Sequence, residues 1–160
     1  MIHTPVLLTE VIQHLDPQPG KNFVDATADG GGHTLAILKA IQPSGQILAV
    51  EWDEELFEEL KNKLNQECPD SKKNYELALA SYTDLATLVN SLKFAPVHGI
   101  LFDFGMSSHH LETSRRGFSF QKDEDLDMRY SRGSEETAAG ILANRGREEL
   151  EKIFKEYGEE

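Results

Sequence analysis

Three observations predict a doubly wound α/β fold built on a parallel sheet. Short apolar runs alternate with helix-spaced segments from residue 22 to residue 102, the pattern of strands buried on both faces by crossover helices. The first run, Phe23-Val24, passes through Asp25 into Gly30-Gly31-Gly32, and a helical pattern of Leu35, Ile37, Leu38 and Ile41 opens behind it. Three strand ends carry an acidic residue, Asp25, Glu51 and Asp103, and ligands of open α/β sheets sit beyond those ends.

Taken in order, the elements follow from spacing and punctuation. Val6, Leu7, Val11 and Leu15 fall near helical spacing, so Thr4–Leu15 is expected as a helix stopped by Pro17 and Gly20. The first strand and glycine turn come next, then a helix over His33–Ile41 that halts at Gln42-Pro43-Ser44-Gly45. Ile47-Leu48-Ala49-Val50 is a second buried strand ending on Glu51. Asp53, Glu54 and Glu55 open a helix carrying Leu56, Phe57, Leu60 and Leu64, with acidic residues at its positive start. Cys68–Asn74 is expected as a polar loop and Tyr75–Ala78 as the third strand. Ser81-Tyr82-Thr83-Asp84 resembles a cap for a helix over Leu85–Leu92. Val97–Phe102 is expected as a fourth strand, buried on both faces and ending at Asp103, with its outer edge open. From Asp103 to Tyr130 the pattern is irregular. Helical spacing returns with Ala138, Ile141 and Leu142, and again with Leu150, Ile153, Phe154 and Tyr157. The expected division is residues 1–130 as the α/β part and 134–160 as the start of a helical subdomain, hinged at Ser131-Arg132-Gly133.

Composition narrows the function. The chain has 160 residues, with 16 Lys and Arg against 28 Asp and Glu, a net charge of −12. That balance disfavours a general nucleic-acid binder and DNA as a partner, but leaves room for an enzyme that touches RNA at one small site. A single cysteine, Cys68, makes no internal disulfide, which suits a reducing cytoplasm. No apolar run reaches membrane-spanning length, and no export signal is visible. The six histidines have no cysteine partner and no ligand spacing for zinc, so no metal is expected.

The glycine stretch is neither G-x-G-x-x-G nor a phosphate-cradling loop, which weakens an NAD-dependent oxidoreductase. Glycine lets backbone approach a ligand where a Cβ would collide. Glu51 stands 26 positions after Asp25, close to the roughly 20-residue offset at which an acid holds a ribose diol. Glu51 and Asp53 read equally as acids capping the helix that follows. An acidic crevice disfavours a pyrophosphate and favours a cationic cofactor, and S-adenosylmethionine carries a sulfonium and an ammonium.

Four stretches occur in a telling order: residues 3–11 (HTPVLLTEV), the loop from Asp25 to His33, Asp103-Phe104-Gly105-Met106-Ser107-Ser108, and Arg116-Gly117-Phe118-Ser119-Phe120 with Leu126-Asp127-Met128-Arg129. Through them the chain resembles the bacterial ribosomal RNA small subunit methyltransferase H family, also called MraW, over nearly its whole length. The resemblance implies a Rossmann-like class I fold and transfer of a methyl group from S-adenosylmethionine to the N4 amine of a cytidine in the decoding region of 16S rRNA. It implies cofactor contacts at Gly31, Gly32, His33, Glu51 (ribose), Tyr82 (adenine), Asp103 and His110, with Asp103 as the catalytic group. Tyr82 reads equally as a partly buried loop aromatic.

Cytosine N4 is a weak nucleophile, so a carboxylate such as Asp103 that accepts from the amine fits the chemistry. The target base must leave its stack. Phe118 and Phe120, with Arg115 and Arg116, are expected either to steady RNA or to anchor a lid. Asp29 stands where the family has glycine and His110 where it has glutamine. Family members continue further, so the chain is expected to be a truncated frame, a fragment or half of a split protein. An open sheet edge would then favour self-association. The rival expectation is a non-catalytic cofactor- or RNA-binding remnant.

Overall fold

The computed structural model describes residues 5–134 and 136–158. His3 and Thr4 of the first motif lie outside them. The contacts divide the chain into two compact units, residues 1–105 and 106–160.

The first unit is the α/β part. Its helices are α1 (Leu8–Leu15), α2 (Gly32–Ala40), α3 (Glu54–Glu67) and α4 (Leu85–Ser91). Its strands are β1 (Asn22–Asp25), β2 (Gln46–Glu51), β3 (Tyr75–Leu79) and β4 (Gly99–Leu101). The strands form one parallel sheet in the order β3-β2-β1-β4. Register pairs Asp25 with Ala49 on one side and with Leu101 on the other. The order runs outward from β1 to β3, then reverses to β4, so the β1/β4 boundary is the switch point where the sheet opens a crevice.

Alternation along each strand builds two cores. Phe23, Ile47 and Ala49 face one way and pack with Ile37, Leu38 and Ile41 of the α2 segment and Leu60 and Leu64 of α3. Val24, Leu48 and Val50 face the other way, toward Phe94, Leu85, Leu88 and Val89 around α4. Each fully buried Leu or Ile here contributes roughly 1.5–3 kcal/mol. Asp53 starts α3 by accepting from the N–H of Glu55 (2.8 Å) and Leu56 (3.3 Å).

Three boundaries differ from expectation, each for a local reason. Helix α1 begins at Leu8; residues 5–7 run ahead of it as a strap, with Leu7 in the left-handed region at φ 53°. The expected loop after Cys68 winds into a 3-10 turn, Pro69–Asn74, tied down by Asn74 Nδ2 donating to the carbonyls of Pro43 (3.0 Å) and Gly45 (2.8 Å). Strand β4 is three residues long, not six, and is not buried on both faces. Its partner β1 turns away after Asp25, and the Ala26 N–H donates to the Leu101 carbonyl as the last ladder bond. Beyond it Phe102 has no strand to pair with. Ile100 is 44% exposed. Among the described residues β4 is the last strand on its side of the sheet.

The second unit holds α5 (Ser108–Glu112), α6 (Ala138–Asn144) and α7 (Arg147–Tyr157). Short α5 lies in the stretch expected to be irregular. Ser107 caps it, with the Ser107 hydroxyl and the His110 ring closing a capping box. The expected hinge at residues 131–133 is instead knitted into this unit. The N–H groups of Ala138 and Ala139 donate to the carbonyls of Asp127 and Leu126, and the Arg129 guanidinium reaches the carbonyls of Arg132 and Ser134. The division between units falls earlier, after Gly105.

Candidate functional site

The switch point gathers the strand-end acids of the first unit. Asp25 is fully buried at the end of β1. The Thr34 hydroxyl donates to its Oδ2 at 2.6 Å and the Thr27 N–H to its Oδ1 at 3.3 Å. Burial pushes its carboxyl above the ordinary range, and those two hydrogen bonds partly offset the shift. Asp25 is thus the anchor beneath the turn.

Glu51 is buried at the end of β2, and its carboxylate binds the turn to the strand. Oε1 accepts from the N–H groups of Trp52 and Asp53, both at 2.8 Å, and Oε2 accepts from the Asp29 N–H at 2.7 Å. Burial raises its carboxyl too, against the pull of those N–H groups. A carboxylate offers about four acceptor sites, so one remains on Oε2.

The turn itself is held from behind. Gly31 sits at φ +76°, and a Cβ there would come within 2.6 Å of Leu60 Cδ1 of α3. A Cβ on Gly32 would meet the Pro5 ring at 2.8 Å. Gly31 is thus favoured by its left-handed backbone, with a Leu60 methyl close behind it, and Gly32 by the Pro5 ring, a packing reason the sequence did not suggest. Lys63 of α3 donates to the Gly30 carbonyl at 2.8 Å. The Asp29 N–H goes to Glu51 and the Gly31 N–H to the Ala28 carbonyl at 2.8 Å, so two donors of the turn are engaged internally. Asp29 takes the left-handed conformation, φ 46°, that glycine would otherwise supply.

His33 is buried in the first turn of α2 and spans the site. Its Nε2 lies 3.0 Å from the Val6 carbonyl of the strap, and its Nδ1 lies 3.6 Å from Asp103 Oδ2. A carbonyl only accepts, so Nε2 carries the hydrogen. Asp103 follows β4; its N–H donates to the Thr27 hydroxyl at 2.7 Å. Its side chain is 41% exposed, and among the described residues of the first unit none donates to Oδ1. Tyr82, after β3, is exposed and meets the rings of Phe102 and Phe104 edge-on. Gly31, Gly32, His33, Glu51 and Asp103 are thus joined by direct contacts through the turn, the strap and α3. Thr27, Thr34 and Lys63 complete the frame. Reading the sequence missed them, because a threonine or lysine in an ordinary helical or turn position carries no signal of its distant partner.

The comparisons bear on this arrangement. The model of the MraW methylase family matches residues 1–160. The chain belongs to that family. The ribosomal RNA small subunit methyltransferase H of Syntrophotalea carbinolica is 42% identical over 158 residues, 99% of this chain and 49% of the relative. The protein of the same name from Dictyoglomus thermophilum is 41% identical over 99% of this chain and 52% of its own length. The chain spans about half the length of the curated relatives it matches. A solved structure from Clostridium thermocellum, named for an rRNA methylase, aligns at TM-score 0.53 and 14% identity over 67% of this chain and 60% of its own. That likeness speaks for the Rossmann-like fold.

Other family positions lie in the second unit. His110 is buried there, with its Nδ1 2.9 Å from the Ser107 hydroxyl and its ring packed against Tyr130 (4.5 Å) and Phe118 (5.2 Å). Arg116, expected beside RNA, is only 2% exposed. Its guanidinium donates to the carbonyls of Arg129 (3.1 Å) and Tyr130 (2.6 Å). Gly117, at φ +73°, brings the chain so close that a Cβ would lie 2.5 Å from the Asp125 carbonyl oxygen. Arg116 is thus buried inside this unit, which corrects the expectation that it faces RNA, while half-buried Phe118 packs against His110 and Tyr130. Phe120 is 97% exposed and remains available. Asp127 is paired twice with Arg129, at 2.6 and 2.8 Å, and that hydrogen bonding holds its carboxyl below the ordinary range.

Proposed function

We propose that this chain is the cofactor-binding part of an S-adenosylmethionine-dependent methyltransferase acting on the N4 amine of a cytidine in small-subunit rRNA. The observation that carries the reading is the meeting of Glu51, the glycine turn, His33 and Asp103 at the β1/β4 switch point of a chain belonging to the MraW methylase family. The donor set fits the cofactor. Buried and half-buried carboxylates ring the crevice, and two N–H groups of the turn are engaged inside the protein, so the turn is no cradle for a pyrophosphate.

When bound, S-adenosylmethionine supplies an electrophilic methyl group on a sulfonium. Glu51 would take a ribose hydroxyl on the acceptor site left at Oε2, and Tyr82 would lie against the adenine. Asp103 would accept a hydrogen bond from the cytosine amine at Oδ1, aligning its lone pair, and take the proton the amine releases as the new carbon–nitrogen bond forms. His33 lies beside the same carboxylate, its Nδ1 3.6 Å from Oδ2. Phe120, exposed in the second unit, would be free to meet RNA.

The test is methyl transfer from labelled S-adenosylmethionine to small ribosomal subunits lacking the modification, read as N4-methylcytidine. Asp103→Ala is expected to lose transfer by at least about a hundredfold, in line with the loss of a general base, and to keep cofactor binding. Undiminished transfer by Asp103→Ala removes Asp103 from the chemistry. A second reading is cofactor binding without transfer. Binding with no N4-methylcytidine supports that reading.

A further inference from the structure

Phe104 stands out among the apolar side chains of the first unit. It is 68% exposed at the crevice, directly after Asp103, yet it is not loose. Phe102 stacks on it with ring centroids 5.3 Å apart and planes 26° from parallel. Tyr82 meets it edge-on at 5.4 Å and meets Phe102 at 6.2 Å. The offset stack and the two edge contacts are the favourable aromatic geometries. Three rings from two separate loops thus fix one another while the outermost ring stays in water.

We infer that Phe104, backed by Phe102 and Tyr82, is a stacking platform for a nucleobase ring that bears an exocyclic amine, with the Asp103 carboxylate as the acceptor for that amine. The inference rests on the methyltransferase reading above and adds a side chain which that reading does not use. Stacking on an exposed ring suits any base, because every base has a π-face. A ring already held by its neighbours loses little freedom on binding. Asp103 supplies the selectivity: its exposed carboxylate, whose Oδ1 takes no hydrogen bond from the described residues of the first unit, accepts from an amino group and rejects a carbonyl. Adenine and cytosine both carry such an amine; the occupant in keeping with the proposed role of Asp103 is the target cytosine, and the cofactor's adenine is the alternative the two probes separate.

Phe104→Leu keeps an apolar side chain and removes the flat face; Phe104→Trp keeps the face. The probes are S-adenosylmethionine and a short single-stranded RNA with one central cytidine, each titrated to equilibrium against the unmodified chain and both variants. Phe104→Leu is expected to weaken one probe by about fivefold to a hundredfold, the range of a lost base–aromatic stack, and Phe104→Trp to restore it. Loss confined to S-adenosylmethionine assigns the platform to adenine, and loss confined to RNA assigns it to the target base. Unchanged affinity for both in Phe104→Leu overturns the inference and leaves the methyltransferase reading standing. So does a variant whose only change is in sedimentation, because the ring would then cover a contact between chains. An unmodified chain that binds neither probe overturns both.

Discussion

At the scale of single residues, Glu51 braces the turn, and the proposed ribose contact would fall on the same carboxylate. Its carboxylate satisfies the N–H groups of Asp29, Trp52 and Asp53 in a buried place. A buried donor left without a partner costs about 1–3 kcal/mol. Glu51→Ala is therefore expected to lose at least about 2 kcal/mol of stability in urea unfolding, besides weakening S-adenosylmethionine. Glu51→Gln, which keeps one acceptor oxygen, falls between the two. An unchanged urea midpoint in Glu51→Ala contradicts the bracing role.

Burial raises both Asp25 and Glu51, and this sets a sign for pH. The folded chain binds these two protons more readily than the unfolded chain. Across the interval from the raised values down to the ordinary carboxyl range, stability therefore increases as pH falls. Below that range both states are protonated and the gain is complete. Asp127 has the opposite sign: its folded value is depressed, so what it contributes is present above the ordinary range and is lost as pH falls through the depressed value. Urea midpoints from neutral to mildly acid pH should rise for the unmodified chain and rise less for Asp25→Asn. Parallel curves contradict the assignment.

At the scale of elements, the glycine turn is shaped by α3 as much as by its own sequence. Leu60 fills the space beside Gly31, and Lys63 holds the Gly30 carbonyl. Gly31→Ala meets both a left-handed backbone, about 1–2 kcal/mol for a residue with a Cβ, and the Leu60 methyl. Adding Leu60→Ala removes the second conflict. The double variant is expected to be more stable than the sum of the single losses, measured by a double-mutant cycle in urea. Strict additivity contradicts the packing account.

How much of this was legible follows from the range of each interaction. Strands β1 and β2 were readable because alternation about a two-sided core leaves an apolar run, and α3 because Asp53 caps it locally. The end of β4 was not readable. It is set by where β1 turns away, and the apolar run Val97–Phe102 carries no mark of that. Arg116 beside Phe118 reads in sequence either as an RNA contact or as part of a lid anchor. The carbonyls that bury it belong to Arg129 and Tyr130, which no local pattern announces. The strap shows the same limit: a histidine at a helix start can be read as bonding a nearby carbonyl, but nothing local says that the carbonyl is that of Val6, 27 positions earlier.

At the scale of the whole molecule, the sheet of the described residues ends at the β4 edge, and Ile100 lies exposed on it. Such edges pair with other chains. Sedimentation is expected to show concentration-dependent self-association, and Ile100→Lys to reduce it by placing a charge on the edge. A monodisperse monomer at all concentrations contradicts this. The central claim concerns the first unit, where acids, turn and His33 converge on one crevice. Isothermal titration with S-adenosylmethionine tests it most directly, with Asp53→Ala as a control that lowers stability by about 1 kcal/mol through lost helix capping. The account predicts one saturable site per chain, weakened at least tenfold by Glu51→Ala and within threefold of the unmodified chain for Asp53→Ala. No saturable heat, or equal affinity in Glu51→Ala, would contradict it.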